Sequence, residues 1–164
     1  MSELDEVLAA NERYARTFTE GSLPAPPRRR LAVLTCMDAR LDPAQALGLD
    51  EGDAHVNRTA GGRSSDDAIR SLVISAHLLG TREFLVIHHT DCGMRTVTNQ
   101  AIRDRLRREL GVDAGTIDFL PIADEEVAIR QDIAAIRASP LMPNDIAVHG
   151  FVYDVRTGRL REVE

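Results

Sequence analysis

The sequence lacks any apolar segment that could cross a membrane, because none of its uncharged apolar runs approaches the roughly 18 residues that a helical span requires. Its first residues, 1–6, are acidic and lack the apolar stretch of a secretory signal. The chain is nevertheless 43% hydrophobic and 28% charged, a balance typical of one globular domain. We therefore expect residues 1–164 to form a single cytoplasmic domain that does not bind membranes.

Two further absences narrow the class of function. The formal net charge is -6, so the chain lacks the positive excess of a general nucleic-acid-binding protein. The arginines of segment 103–108 are interrupted by Asp104, as on the solvated face of a helix. The glycines match neither the P-loop nor the dinucleotide-binding fingerprint. We expect no nucleic-acid partner and no nucleotide site of these two kinds.

Cysteine is scarce as well, since the chain contains only Cys36 and Cys92. A lone disulfide is uncommon in reducing compartments, and each cysteine stands among polar side chains of the kind that bind metals. Thiolate and imidazole are ligands that suit Zn²⁺, and three protein ligands leave a fourth position open, as in catalytic zinc sites. The two cysteines therefore predict an open zinc site rather than a disulfide.

Hydrophobic periodicity predicts an α/β fold. Apolar residues recur at helical spacing in four segments, and short apolar runs typical of buried strands lie between them. Turn residues, among them Gly21, Gly80 and Gly158, separate these segments. The predicted helices cover 4–19, 66–79, 98–110 and 124–138, and the predicted strands cover 31–34, 54–57, 84–87 and 146–155, the last followed by a short return.

Polar groups that carry chemistry directly follow two of the predicted strands. One group, 36–40, follows strand 31–34, and the other, 88–92, follows strand 84–87. In open parallel sheets, ligands gather outside the carboxyl ends of the strands. We therefore expect both groups to meet at one point.

Spacing selects the histidine ligand. His89 and Cys92 can close around one metal at a tight turn, whereas strand alternation should point His88 to the opposite face of the sheet. We predict that His89 binds the metal and that His88 is a packed strand residue. The other histidines lack ligand spacing and are expected to be structural, with His55 a remote candidate for moving protons; they are His55, His77 and His149.

Asp38 and Arg40 follow Cys36 too closely to lie far from the metal. A neighbouring arginine keeps a carboxylate ionised. Asp38 could accept a hydrogen bond from a water on the metal and orient that water toward a substrate, or it could bind the metal itself and close the site. A surface ion pair of small energetic value is the third interpretation.

Three motifs together resemble the signature of the β-class carbonic anhydrases, in particular their compact microbial branch: Cys36-x-Asp38-x-Arg40, Arg58-x-Ala60-Gly61 and His89-x-x-Cys92-Gly93. The resemblance covers nearly the whole chain. It implies a mostly parallel central β-sheet flanked by helices, and reversible hydration of carbon dioxide to bicarbonate and a proton by zinc-bound hydroxide. It also implies Cys36, His89 and Cys92 as zinc ligands and Asp38 and Arg40 as the catalytic dyad.

The same resemblance implies a homodimer in which an N-terminal helix and arm, residues 1–27, pack on the partner; a tetramer is compatible with it too. Two departures stand out. Thr59 replaces an asparagine that family members commonly carry, and the chain has no tryptophan, so we expect no regulatory bicarbonate site.

Two other functions stay open at this point. The same zinc chemistry could hydrolyse carbon disulfide or carbonyl sulfide if the entrance restricted access. A non-catalytic zinc-binding or redox-sensing protein is the other alternative, in which Asp38 closes the site permanently and the thiolates respond to oxidation.

Overall fold

The computed structural model describes residues 2–164, and it confirms the predicted α/β fold. Five strands form one sheet in the order β2-β1-β3-β4-β5. The first four pair in parallel, and only β5 runs antiparallel to its neighbour, β4. The strands are β1 (Leu31–Cys36), β2 (Ala54–Thr59), β3 (Glu83–His89), β4 (Ala147–Tyr153) and β5 (Leu160–Val163).

Residues 2–164 form five α-helices besides the sheet, and the four predicted ones lie within a few residues of their expected bounds. Side-chain caps fix two of the starts, since Ser65 accepts a hydrogen bond from the backbone N–H of Ala68, and Asp124 accepts one from that of Val127. The helices are α1 (Glu3–Ala15), α2 (Pro43–Leu47), α3 (Asp66–Leu78), α4 (Asn99–Leu110) and α5 (Glu125–Ala138). Helix α2 was not predicted, because five residues are too few to show a helical period.

The two strands that carry the metal-type residues are longer than predicted. Strand β1 extends to Cys36, and β3 extends to His89, so these two residues and His88 belong to the strand ends, whereas Asp38, Arg40 and Cys92 lie in the loops that follow. All six residues of β1 are buried, as is usual for a central strand of a parallel sheet. The polar ends are therefore held by the sheet itself.

The core lies on both faces of the sheet. Phe84 and Val86 face α3 and α5, where they pack with Leu72 and Ile136. Ile87 faces the other way and packs with Leu31 and Val33 beside α2. This alternation places His88 on the side of α5 and His89 on the opposite side.

Helix α1 stands apart from this core. Within residues 2–164 none of its side chains is buried, although it carries a full capping box at Ser2 and Asp5. In the same range, no helix has the length and hydropathy that crossing a membrane requires.

Candidate metal centre

The structure brings Cys36, His89 and Cys92 together. One ligand atom from each lies within 4.8 Å of the other two, and all three residues are buried. Cys36 ends β1 and His89 ends β3, two neighbouring parallel strands, so the sheet register places both at its carboxyl edge. Cys92 joins them through a tight turn in which Asp91 adopts a positive φ of 56°. The three residues are called the metal centre below.

The tautomer of His89 suits a metal ligand. Its Nδ1 lies 2.9 Å from the carbonyl oxygen of Thr90, and because a carbonyl only accepts, Nδ1 carries the proton. Its Nε2 is buried and has no hydrogen-bond partner among residues 2–164. A buried nitrogen whose lone pair is left free in this way is the arrangement in which histidine binds metals.

The two thiols are arranged to carry negative charge. A hydrogen bond from Cys92 lowers the pKa of Cys36 to about 4 and, for the same reason, raises the pKa of Cys92. The backbone of Asp38 and of Gly61 lowers the pKa of Cys36 further. The pair thus readily holds one charge, and a bound cation is needed to hold the second.

The ligand atoms of Cys36, His89 and Cys92 indicate which metal ion the centre binds. Two thiolates and one imidazole form a soft to borderline set that suits Zn²⁺, and three protein ligands leave one position of a tetrahedron free. Burial lowers the pKa of His89, but the Cys36 sulfur, the Thr90 carbonyl and the Asp38 charge together outweigh this and raise it. A zinc ion bound there would therefore compete with protons for all three residues.

Asp38 and Arg40 form a close ion pair beside the centre. The carboxylate accepts two hydrogen bonds from the guanidinium, at 3.0 and 2.8 Å, and one from the backbone N–H of Arg40 at 2.9 Å. These bonds from Arg40 hold the pKa of Asp38 well below its usual range. One Asp38 oxygen lies 3.8 Å from His89 Nε2, so an ionised carboxylate stands next to the open side of the centre.

Two residues whose roles sequence reasoning missed complete this arrangement. Asp91 accepts a hydrogen bond from Arg40 at 2.8 Å, and its carbonyl oxygen accepts another at 2.9 Å, so Arg40 links the loops that follow β1 and β3. Arg58 donates to the carbonyl oxygens of Cys36 and Asp38 at 3.0 and 2.6 Å. The motif around Arg58 had pointed to that residue, but its task of fixing the segment 36–38 depends on the fold.

A small cavity opens onto the centre, with a volume of about 190 Å³. Larger grooves exist, among them one of about 360 Å³ between β2 and α3, but its only metal-type residue is His55. Donor chemistry rather than size therefore locates the site, and His55 bonds to Ser75 at 2.7 Å instead of lining the cavity. The cavity is lined by Cys36, Met37, Asp38, Ala60, Gly61, Cys92, Gly93 and Met94.

Comparison with known proteins gives the family. A sequence model described as carbonic anhydrase matches residues 31–160. The beta-carbonic anhydrase 1 of Mycobacterium tuberculosis is 45% identical over 164 residues, covering 99% of each chain. The crystal structure of carbonic anhydrase from Streptococcus mutans has 53% identity and a TM-score of 0.95, covering 100% of this chain and 99% of that one. The chain belongs to the carbonic anhydrase family, in its β class.

A relative with a different name lies at greater distance. A carbon disulfide hydrolase of an Acidianus strain is 34% identical over 97% of this chain and 88% of its own length. The family therefore includes proteins named for two substrates.

Proposed function

We propose that this protein catalyses the reversible hydration of carbon dioxide to bicarbonate and a proton, with Cys36, His89 and Cys92 as its zinc ligands. The observation that supports this most is the buried metal centre with one side open toward an ionised Asp38. When bound, zinc acidifies a coordinated water, so that hydroxide becomes available near neutral pH.

The catalytic dyad of this proposal is Asp38 and Arg40. Because the Asp38 carboxylate is ionised, it only accepts hydrogen bonds, and it can orient a water at the open position by accepting a hydrogen bond from it. Arg40 directs the carboxylate through two parallel hydrogen bonds and keeps it charged. Met37, Ala60 and Met94 supply apolar walls against which carbon dioxide can lie.

The cavity is open enough for bicarbonate to exchange with water from the solvent. Met37 is 67% exposed, and the Arg40 side chain is 47% exposed, so water reaches the edge of the cavity. Bicarbonate can therefore leave by exchange with water.

Carbon disulfide is the second candidate substrate, favoured by the relative of that name over 97% of the chain. The higher identity to proteins named carbonic anhydrase supports carbon dioxide. Rates measured side by side on carbon dioxide and carbon disulfide discriminate between the two, and faster turnover of carbon disulfide would reverse the assignment.

One experiment tests zinc, activity and ligands together. Stopped-flow hydration of carbon dioxide is measured on protein of known zinc content, with Cys92→Ala as the variant that lacks one ligand. We expect one zinc per chain and rapid turnover in the wild type, and loss of both in the variant. Zinc without turnover, with an unchanging carboxylate ligand in X-ray absorption at two pH values, would instead favour the non-catalytic sensor.

We further propose that residues 1–164 form one domain, that residues 1–27 pack on the partner of a homodimer, and that the protein works in the cytoplasm. The exposed apolar side chains of the N-terminal segment support the dimer, because apolar side chains grouped in this way are typical of an interface. The unpaired cysteines suit a reducing compartment. The exposed residues are Leu4, Val7, Leu8, Tyr14 and Phe18, at 66%, 62%, 56%, 51% and 45%.

Replacing Leu4, Val7 and Leu8 together by serine tests the dimer. We expect light scattering to show a smaller assembly for the triple variant than for the wild type. The control replaces the exposed Glu3, Glu6 and Glu12 of the same helix by glutamine, which should leave the assembly unchanged. An unchanged mass in the serine variant would refute this role of the helix.

A further inference from the structure

A buried ionic network lies behind the metal centre and takes no part in the chemistry described above. At its middle is the carboxylate of Asp132 on α5, which is 1% exposed. One carboxylate oxygen accepts hydrogen bonds from the backbone N–H and the hydroxyl of Ser64, at 3.0 and 2.7 Å. The other accepts one from His88 Nε2 at 2.9 Å, and Arg63 Nε lies 3.1 and 2.9 Å from the two oxygens. These four residues are called the Asp132 network.

In the Asp132 network, the buried negative charge of Asp132 is paired with the positive charge of Arg63. Arg63 is 7% exposed, so both members of its ion pair with Asp132 are withdrawn from water. Burial raises the pKa of Asp132, but hydrogen bonds from His88 and Ser64 outweigh this and lower it. Displacement of Arg63 would leave the buried charge of Asp132 unpaired, which is far more costly than the net value of the pair.

His88 connects this network to one metal ligand. It directly precedes His89 on β3, and strand alternation sends the two side chains to opposite faces. Because a carboxylate only accepts, the His88 Nε2 carries its proton toward Asp132. The bond to α5 therefore fixes the backbone from which His89 reaches the metal centre.

Arg63 connects the network to the second ligand. It follows Gly61 and Gly62, which adopt positive φ values of 73° and 71°. A Cβ on Gly62 would lie 3.1 Å from the backbone nitrogen of Cys36, so this turn is pressed against the end of β1. Anchoring Arg63 therefore holds in place the turn that packs against the end of β1, where Cys36 lies.

A third connection reaches the cavity wall. Arg63 donates to the carbonyl oxygen of Pro121 at 3.4 Å, and the next residue, Ile122, donates its N–H to the carbonyl oxygen of Met94 at 3.0 Å. Ile122 is buried and packs with Cys36 and Cys92. One buried carboxylate thus joins three segments that surround the metal centre.

We propose that Asp132 is a positioning residue of the metal centre, which acts through His88 and Arg63 to set how tightly zinc is held. This inference rests on the zinc ligands proposed above. The zinc affinity of the wild type is therefore measured first by competition with a chelator. A wild type that binds no zinc refutes the proposed function, whereas the variants below test the positioning role alone.

The main variant is Asp132→Asn, which keeps the shape of the side chain and removes its charge. Its amide N–H₂ faces either the donating N–H of Ser64 or His88 Nε2, which can accept only if its proton moves to Nδ1, and in both orientations Arg63 loses its charged partner. We expect the zinc dissociation constant to rise by about 10-fold or more, since partners that orient metal ligands typically contribute roughly 10- to 100-fold. The visible absorption of the Co²⁺-substituted protein should also shift.

The matched control is Ile136→Ala, one turn further along the same helix. Ile136 is fully buried in the core between α5 and the sheet, so its loss destabilises the fold without touching the Asp132 network. We expect this variant to melt at a lower temperature but to keep its zinc affinity and Co²⁺ spectrum. Equal zinc affinities in Asp132→Asn and the wild type, or equal weakening in Asp132→Asn and Ile136→Ala, would overturn the proposal.

A second pair of variants decides the question if Asp132→Asn does not fold. In His88→Gln the amide nitrogen can take the place of Nε2 and still donate to Asp132, whereas His88→Leu cannot donate. We expect the glutamine variant to retain zinc affinity within about 3-fold and the leucine variant to lose about 10-fold, near the lower end for such partners. Equal zinc affinities in the two variants would contradict the role of this hydrogen bond.

Discussion

Asp38→Ala removes the carboxylate beside the metal centre while leaving the three proposed zinc ligands unchanged. In the wild type this carboxylate accepts three hydrogen bonds from Arg40. Two hydrogen bonds to Asp91, at 2.8 and 2.9 Å, still reach Arg40 in the variant. The Asp91→Asn control below measures how much a less firmly held arginine contributes to the loss of turnover.

The expected loss is about 100-fold in kcat/KM, at the lower end of the roughly 10²- to 10⁴-fold that a side chain positioned for acid–base catalysis contributes. This loss corresponds to about 2.7 kcal/mol of transition-state stabilisation. The lower end is appropriate because Asp38 orients a water that the metal already acidifies. Zinc content should stay at one per chain.

The assay is stopped-flow hydration of carbon dioxide with a pH indicator, on protein whose zinc content is measured in the same samples. Asp91→Asn is the matched control, since Asp91 also pairs with Arg40 but its side chain is 72% exposed. Exposed ion pairs contribute at most about 1 kcal/mol, so the control should lose less than about 5-fold. Wild-type turnover in Asp38→Ala, or equal losses in both variants, would remove Asp38 from the mechanism.

Three further expectations concern pH, metal and backbone. Activity should rise from pH 6 to 9, because two thiolates offset the charge of zinc and leave its bound water less acidic. Asp38 does not cause this rise, since its lowered pKa keeps it ionised throughout the range. A flat pH profile would contradict the expected effect of the thiolates. Acidification should release zinc as protons compete for Cys36 and Cys92, which a chromogenic chelator measures; retention of zinc at pH 4 would be inconsistent with thiolate ligands. Gly62→Ala should lower the free energy of unfolding, measured in urea, by about 2 kcal/mol or more. The φ of Gly62 is positive, and the added Cβ would press against the backbone of Cys36. An unchanged midpoint of unfolding would count against this close approach.

Much of the fold was predictable because the signals were local. Amphipathic periods marked four helices, and turn residues marked their ends, so the bounds of α3 and α5 agree with prediction to within one residue. Strand ends were less accurate. Thr35 and Cys36 are polar or small and did not extend the apolar run 31–34, yet the sheet pairs them with Arg58 and Thr59. Pairing between distant segments, rather than local composition, sets where β1 ends.

The candidate site, like the fold, contains residues that local sequence signals predicted and residues that they did not. Cys36, His89 and Cys92 were chosen from residue type and spacing, and the structure brings them together. Asp132 could not be chosen, because it lies 44 positions after His88 in the sequence and one aspartate on an amphipathic helix usually faces solvent. Its position on the apolar side of α5, next to Ile129 and Ile136, was the one signal available. That signal indicates burial but does not identify a partner.

Asp38 has two interpretations, as a hydrogen-bond acceptor beside the metal or as a ligand of the metal. They differ in how many hydrogen bonds Arg40 keeps to Asp38. As an acceptor, Asp38 keeps both of its oxygens within 3.0 Å of the guanidinium. To bind the metal, it must turn one of these oxygens away, and Arg40 would then keep one hydrogen bond from its guanidinium to Asp38 beside its bonds to Asp91. Because Asp91 is largely exposed and its hydrogen bonds compete with water, it compensates only weakly for that loss. Arg40 therefore favours the open centre, and it does so through the same bonds that keep Asp38 ionised.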